Sequence, residues 1–282
     1  MRQRKRRMLL FTLILAVAMT MGSFVTAFAE DSKDNALLSD RELLEKISSK
    51  IDIDYGYQLA KEVSLVGTGE LGFRTAGSKG EKAAAAIIEK AMKDIGLSNV
   101  RKDEVPVDAW NFGKGSLTLT SAADGKKTMT LSSYAGSTGT SAAGLSGEIV
   151  YIGDGSLSGY NGQDVKDKIV LAEFDMNMDY WVTQPAHQAE LKGAKALILL
   201  YNGDSYGITQ DGLNSFDVIA RDTIPIMNIS RNDGAYLKEQ ISKGKVEGTL
   251  VSDAVIDKNG MSGNIIGEIP GVLDDKYIIM GA

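Results

Sequence analysis

The chain has 282 residues, 43% of them hydrophobic and 24% charged, a globular balance with enough apolar content for one or two cores. The absence of cysteine excludes disulfides, thiolate metal sites, a cysteine nucleophile and a lipid-modified N-terminal cysteine. A net charge of −6 gives no obvious attraction for nucleic acid or an anionic membrane, so neither is an expected partner.

Residues 1–29 read as a secretory signal peptide. "MRQRKRR" is a basic leader, "MLLFTLILAVAM" an apolar run of suitable length, and Ala27-Phe28-Ala29 a small-x-small cleavage pattern. The alternative is an uncleaved anchor, since Met8 to Ala29 is almost long enough to span a bilayer. Cleavage after Ala29 removes five basic residues and no acid, taking the net charge from −6 to −11. The expected location is secreted, extracellular or in the cell envelope, without stable membrane insertion after cleavage.

Within the N-terminal block 30–109, residues 36–98 read as helical. Ser39-x-x-Glu42 is a capping box ahead of Leu43, Leu44, Ile47 and Ile51 at helical spacing, and a second helix runs through "DYGYQLAKEV". The clearest helix is "SKGEKAAAAIIEKAMKDIG". Ser78 is at the N-cap, Glu81 at its third position, Ala84, Ile87, Ile88, Ala91 and Ile95 form the apolar stripe, and Gly96 ends it. The preceding "GFRTAGS" is a glycine-bearing loop that feeds the helix.

Residues 110–254 change to short β-rich runs: "SLTLT", "KTMTLSSY", "GEIVYIG" and "DKIVLAEF", separated by glycine, serine and aspartate. Thr183 can cap a short helix with Pro185 in its first turn and Gly193 at its end; Ala196–Tyr201 is a buried strand. "IPIMNIS" reads as another buried strand and "NDGAYLKEQIS" as another helix. In residues 255–282, "SGNIIGEIPG" and "KYIIMGA" read as two strands joined by "GVLDD". Such a pair is marginal alone and needs a partner layer, for which the helices of the first block are available.

Candidate chemistry is sparse. The single histidine, His187, sits in the first turns of a short helix and reads as a surface or satisfied residue rather than a ligand. Any Ser-His-Asp triad would have to use it, and no G-x-S-x-G elbow surrounds a serine. "GDGSLSG" lacks the lysine of a phosphate loop and reads as a turn. Asp175, Asp179, Tyr180 and Trp181 form a possible exposed ligand-contact loop. No catalytic, metal-binding or cofactor-binding residue is assigned.

"GFRTAGSKGEKAAAAIIEKAMKDIGL" resembles the N-terminal signature of the secreted zinc aminopeptidases of metallopeptidase family twenty-eight, with Arg74, Gly77, Ser78, Ala84, Gly96 and Leu97 in its positions. "GEIVYIGDG", "DVKDKIVLAEF", "AELKGAKALILLYN" and "IPIMNIS" resemble the protease-associated (PA) domain inserted in many of them. The matching residues are Lys168-Ile169-Val170-Leu171, Lys192-Gly193-Ala194, Asn202 and Ile224-Pro225. "SGNIIGEIPG" and "YIIMGA" are similar to the strands that re-enter the peptidase domain.

The resemblance implies an α/β fold: an incomplete aminopeptidase-type domain, of N-terminal helices and first sheet strands, carrying a β-rich α+β PA insert. It implies domains at 1–29, 30–109, 110–254 and 255–282, the third being the PA domain. In the family, the strand matching "YIIMGA" leads into a His-x-Asp motif that begins a two-zinc site; Ala282 stands just before that point. Such a site needs several imidazole or carboxylate ligands around metals about 3.5–4 Å apart, and these residues do not supply them. The expected function is therefore the N-terminal part of a zinc aminopeptidase acting on peptides or proteins, with zinc the family's cofactor, none bound by this chain, and no catalysis by it alone. The alternatives are a non-catalytic secreted PA module that binds a protein or peptide, and a purely structural envelope protein.

Overall fold

The computed structural model describes residues 40–67, 69, 71–175, 181–203, 208–213, 224–272 and 278–281. Residues 1–29, read as a signal peptide, and Ser39 lie outside them. The chain divides into two compact units, residues 1–56 and 57–282.

In the first unit, helix α1 (Asp40–Ser48) carries an Arg41–Glu45 ion pair one turn apart at 2.9 Å. Asp52 accepts from the Tyr55 amide at 2.8 Å and so opens helix α2 (Ile53–Ser64). Leu43, Leu44 and Ile47 lie on α1 as read, Ile51 falls beyond its end, and all four side chains are exposed.

The second unit begins within α2. Just beyond that helix, Arg74 donates to the Val66 carbonyl at 3.1 Å, placing positive charge near the negative end of the helix dipole. Helix α3 (Lys79–Asp94) starts as read: the Ser78 hydroxyl accepts from the Glu81 amide at 3.1 Å. Its end is a Schellman turn, with Leu97 N bonding Met92 O and Gly96 N bonding Lys93 O, both at 3.0 Å. Gly96 has φ +86, a conformation in which a side chain is strained.

The helical stretch ends here, close to residue 98 as read. Residues Ser98–Asn111 form a 14-residue strand, β1, paired antiparallel with β9 (Val255–Glu268) in the register Val105↔Ser262 and Val107↔Gly260. β1 escapes a period-two reading because charges crowd it and Pro106 interrupts it; proline is tolerated here because a two-stranded ribbon leaves both outer edges free. β9 begins at Val255 rather than Ser262, and its partner is β1 rather than residues 276–282. Residues 278–281 belong to no strand, and Ile278 is 93% exposed. Lys276, Tyr277 and Ala282 lie outside the described residues.

Between β1 and β9 the chain closes a barrel of seven strands: β2 (Gly115–Ser121), β3 (Thr128–Ser133), β4 (Leu145–Asp154), β5 (Ile169–Phe174), β6 (Ala196–Tyr201), β7 (Ile226–Ile229) and β8 (Val246–Ser252). Their order is β2-β3-β7-β6-β5-β4-β8, with β4, β5, β6 and β7 mutually parallel and the other pairings antiparallel. Alternation divides β5 and β6 between two cores. Ile169, Leu171, Ile198 and Leu200 face the interior with Leu117, Leu131 and Leu250. Val170, Ala172, Phe174, Leu197 and Leu199 face Val182, Ala186 and Ala189 around helix α4 (Thr183–Leu191). Strands buried on both faces explain the continuous apolar run at 196–201. Thr183 does not cap α4 as read: it is the first helical residue, and Val182 holds the cap position without a side-chain bond. Helix α5 (Arg231–Lys243) follows β7, is capped by Ser230, and sends Leu237 into the interior core.

Trp110 and Phe112, at the junction of ribbon and barrel, stack with centroids 5.5 Å apart, and Phe73 meets both edge-on. The Trp110 indole donates to Ser137 O at 2.8 Å, and the Thr75 hydroxyl donates to Trp110 O at 2.6 Å. The "GFRTAGS" loop is thereby fixed against β1. Gly77 has φ +79, and a Cβ there would fall 2.6 Å from the Ala109 Cβ. Gly77→Ala should cost about 2 kcal/mol from left-handed strain and crowding together. Gly125→Ala shares the φ penalty in open space and should cost about 1 kcal/mol. Denaturant unfolding of the two variants checks the difference.

Candidate functional site

The carboxyl ends of parallel strands are where α/β folds gather ligand-contacting loops. At the ends of β4, β5 and β6 the barrel collects a polar network centred on Glu173. Glu173 follows Ile169 and Leu171 on the inward-facing alternation of β5, one residue before the strand ends. Its carboxylate accepts from Tyr151 Oη of β4 at 2.7 Å and from Asn202 Nδ2 beyond β6 at 2.6 Å, and it pairs with Lys238 Nζ of α5. The Lys238 ammonium also lies 4.8 Å from the centre of the Tyr151 ring.

Burial alone would raise the Glu173 carboxyl, but the bonds from Lys238, Tyr151 and Asn202 outweigh it and hold the group below its ordinary value. Bonding to Glu173 raises Lys238, while burial and then the bond to Glu173 raise Tyr151. The acid stays ionised with both oxygens engaged, which suits a clamp between α5 and the barrel rim and leaves no poised general base.

Arg231, the first residue of α5, fastens the segment after β6. It donates through Nε to Tyr201 O and through Nη1 to Ile208 O, both at 3.2 Å, and through Nη2 to Gly203 O. Asn232 Nδ2 donates to Asp211 Oδ1 at 2.7 Å. Of the loop read as a ligand contact, Asp175 is half-buried near Gly203 and Trp181 is 66% exposed at the start of α4. Asp179 and Tyr180 lie outside the described residues.

His187 is exposed on α4. Among the described residues no three or more His, Cys, Asp or Glu side chains are grouped closely enough to hold a metal ion. The described donor set does not fit a two-zinc centre. The resemblance-bearing residues make structural contacts. Lys168 pairs with Glu148 at 3.5 Å and Asp164 at 3.4 Å. Gly193 (φ +78) and Ala194 close α4, and Pro225 O accepts from Leu197 N at 3.0 Å.

Sequence reasoning did not single out Tyr151, Glu173, Arg231 or Lys238. Glu173 alone left a visible signal, as the one charge inside the apolar run "IVLAEF". Its folded value lies below its unfolded value, so the stability it contributes is present above the ordinary glutamate range and is lost as pH falls through the folded value. Glu173→Gln should cost about 1 kcal/mol at neutral pH, a figure discounted for the partly exposed Lys238 partner. The gap from wild type should shrink below about pH 4, as read by urea unfolding across a pH series.

Residues 134–237 match the PA domain family. No curated protein sequence matches the chain. Among solved structures, BSAP, a zinc aminopeptidase from Bacillus subtilis, is 27% identical with a TM-score of 0.56, covering 76% of this chain and 46% of that one. An aminopeptidase from Aneurinibacillus sp. strain AM-1 is 20% identical with a TM-score of 0.53, covering 82% and 52%. A peptidase M28 precursor from Shewanella amazonensis SB2B is 20% identical with a TM-score of 0.55, covering 74% and 48%. The chain thus carries a PA domain in a mixed α/β fold similar to aminopeptidase structures, and it spans about half their length.

Proposed function

We propose that this chain is the N-terminal, PA-bearing part of a secreted zinc aminopeptidase, which removes residues from the amino ends of peptides. The observation that carries the reading is the joint occurrence, in one chain, of a PA match over 134–237 and 27% identity to a zinc aminopeptidase structure along 76% of the chain. The signal-peptide pattern at residues 1–29 supports export.

In this reading the metal ligands and the carboxylate that moves the proton come from polypeptide beyond these residues. A metallopeptidase centre needs several ligands in a complete shell, and one exposed imidazole on α4 does not replace them. The chain's own contribution is positional. Helix α3, the ribbon and the fastened "GFRTAGS" loop carry the barrel, and the barrel holds Asp175, Trp181 and Asn202 at the carboxyl ends of its parallel strands, where a peptide can be met.

The test is calorimetric zinc titration together with an aminoacyl-nitroanilide assay on residues 30–282 and on a longer product that includes a His-x-Asp motif and the rest of a peptidase domain. The shorter chain should bind zinc only as weak surface association and release no chromophore, while the longer one should do both. Stoichiometric zinc and chelator-sensitive turnover by residues 30–282 would overturn this division of labour, and a longer product without aminopeptidase activity would overturn the assignment itself.

A further inference from the structure

The sequence contains three Asn-Gly steps, at 161, 202 and 259, and the fold treats them unequally. Asn202 is held by Glu173 through its side-chain amide at 2.6 Å and by Phe174 O through its backbone N–H at 3.1 Å, and the carbonyl of the buried Gly203 is held by Arg231. Asn259 lies within β9, and Gly260 is buried in register with Val107 of β1.

Asn161-Gly162 has neither restraint. Gln163 N donates to Tyr160 O at 3.1 Å and Gly162 has φ +72, so Tyr160–Gln163 is a β-turn with glycine at its third position. Both central residues are exposed. Among the described residues nothing bonds the Asn161 side chain or the Gly162 N–H, and the space around Gly162 is open. The central peptide can therefore rotate and bring the Gly162 nitrogen to the Asn161 Cγ without opening the fold.

We infer that Asn161-Gly162 is a site of spontaneous succinimide formation, converting in the native protein to aspartate and isoaspartate. The Gly162 nitrogen forms a bond to Asn161 Cγ, the Cγ–Nδ2 bond breaks, and ammonia leaves with the proton that was on Gly162. Water then opens the five-membered imide. Cleavage of the Cγ–N bond gives aspartate, and cleavage of the bond between Gly162 N and the Asn161 backbone carbonyl carbon gives isoaspartate, whose main chain runs through the side-chain carbon. The balance is one water consumed and one ammonia released, with no change of oxidation state.

Either product adds one negative charge, and isoaspartate also adds a methylene to the backbone. Tyr160, directly before the step, and Val165, a short way beyond it, are buried in the outer core against α4. The lesion therefore strains the layer between β5, β6 and α4 and leaves the barrel interior untouched.

The test is incubation of the folded full chain in mildly alkaline buffer made with heavy-oxygen water, followed by protease digestion and mass spectrometry of the three Asn-Gly peptides. Label should enter at Asn161 about tenfold or more faster than at Asn202 and Asn259, which react only after local opening. In denaturant the three rates should converge. Asn161→Gln should abolish label at that position and leave the other two native rates unchanged. Equal native rates at the three sites, or a native rate at Asn161 about tenfold below its denatured rate, would overturn the inference.

Discussion

The ladder between β1 and β9 is the constraint on which the second unit rests. It brings together strands separated by the whole barrel, so everything from Phe112 to Ala254 is a closed loop whose ends are held side by side. Closing a loop of that length costs roughly 4 kcal/mol of chain entropy, and a two-stranded ribbon is marginal alone. The additional support comes from both flanks. At one, Glu81 of α3 accepts from Gly77 N at 2.9 Å and reaches Ser262 Oγ at 2.6 Å, tying the start of α3 to β9. At the other, Trp110 and Phe112 pass from the end of β1 into the barrel core.

Glu81 also shows how a capping residue becomes a tertiary one. In a capping box it would only reach back to the amides before its own helix. Here burial tends to raise its carboxyl, while the bonds from Ser262, Gly77 and Gly263 and the charge of Lys102 bring it below the ordinary value. A single carboxylate thus orders the start of α3 and fixes its position on the ribbon.

Inside the ladder, the parallel run β4-β5-β6-β7 sets the chemistry of the barrel. Parallel strands end on the same side, so their following loops and the start of α5 converge there. A carboxylate at such an end is tolerable only with full compensation, and Glu173 receives it from three different elements. The same arrangement closes the barrel rim with α5 and holds the segment after β6 through Arg231.

What the sequence determined by itself was local. Ser78 and Gly96 bracket α3 because an N-cap hydroxyl and a left-handed glycine act within one turn. The runs 169–174, 196–201 and 226–229 announce buried strands because they are almost continuously apolar, with Glu173 and Asn228 the exceptions. The resemblance of "GFRTAGS", the barrel strands and "SGNIIGEIPG" to PA-bearing aminopeptidases was likewise readable from residue order. Tertiary structure decided what depends on distant partners. β1 is too charged to show alternation and exists as a strand because β9 pairs with it. Residues 278–281 read as a strand by composition but have no ladder partner among the described residues, and β-structure requires one where a helix does not. Glu173, Tyr151, Lys238 and Arg231 stand far apart in the chain and converge only when parallel strands align their carboxyl ends, because charge compensation acts through space and leaves no period in the sequence.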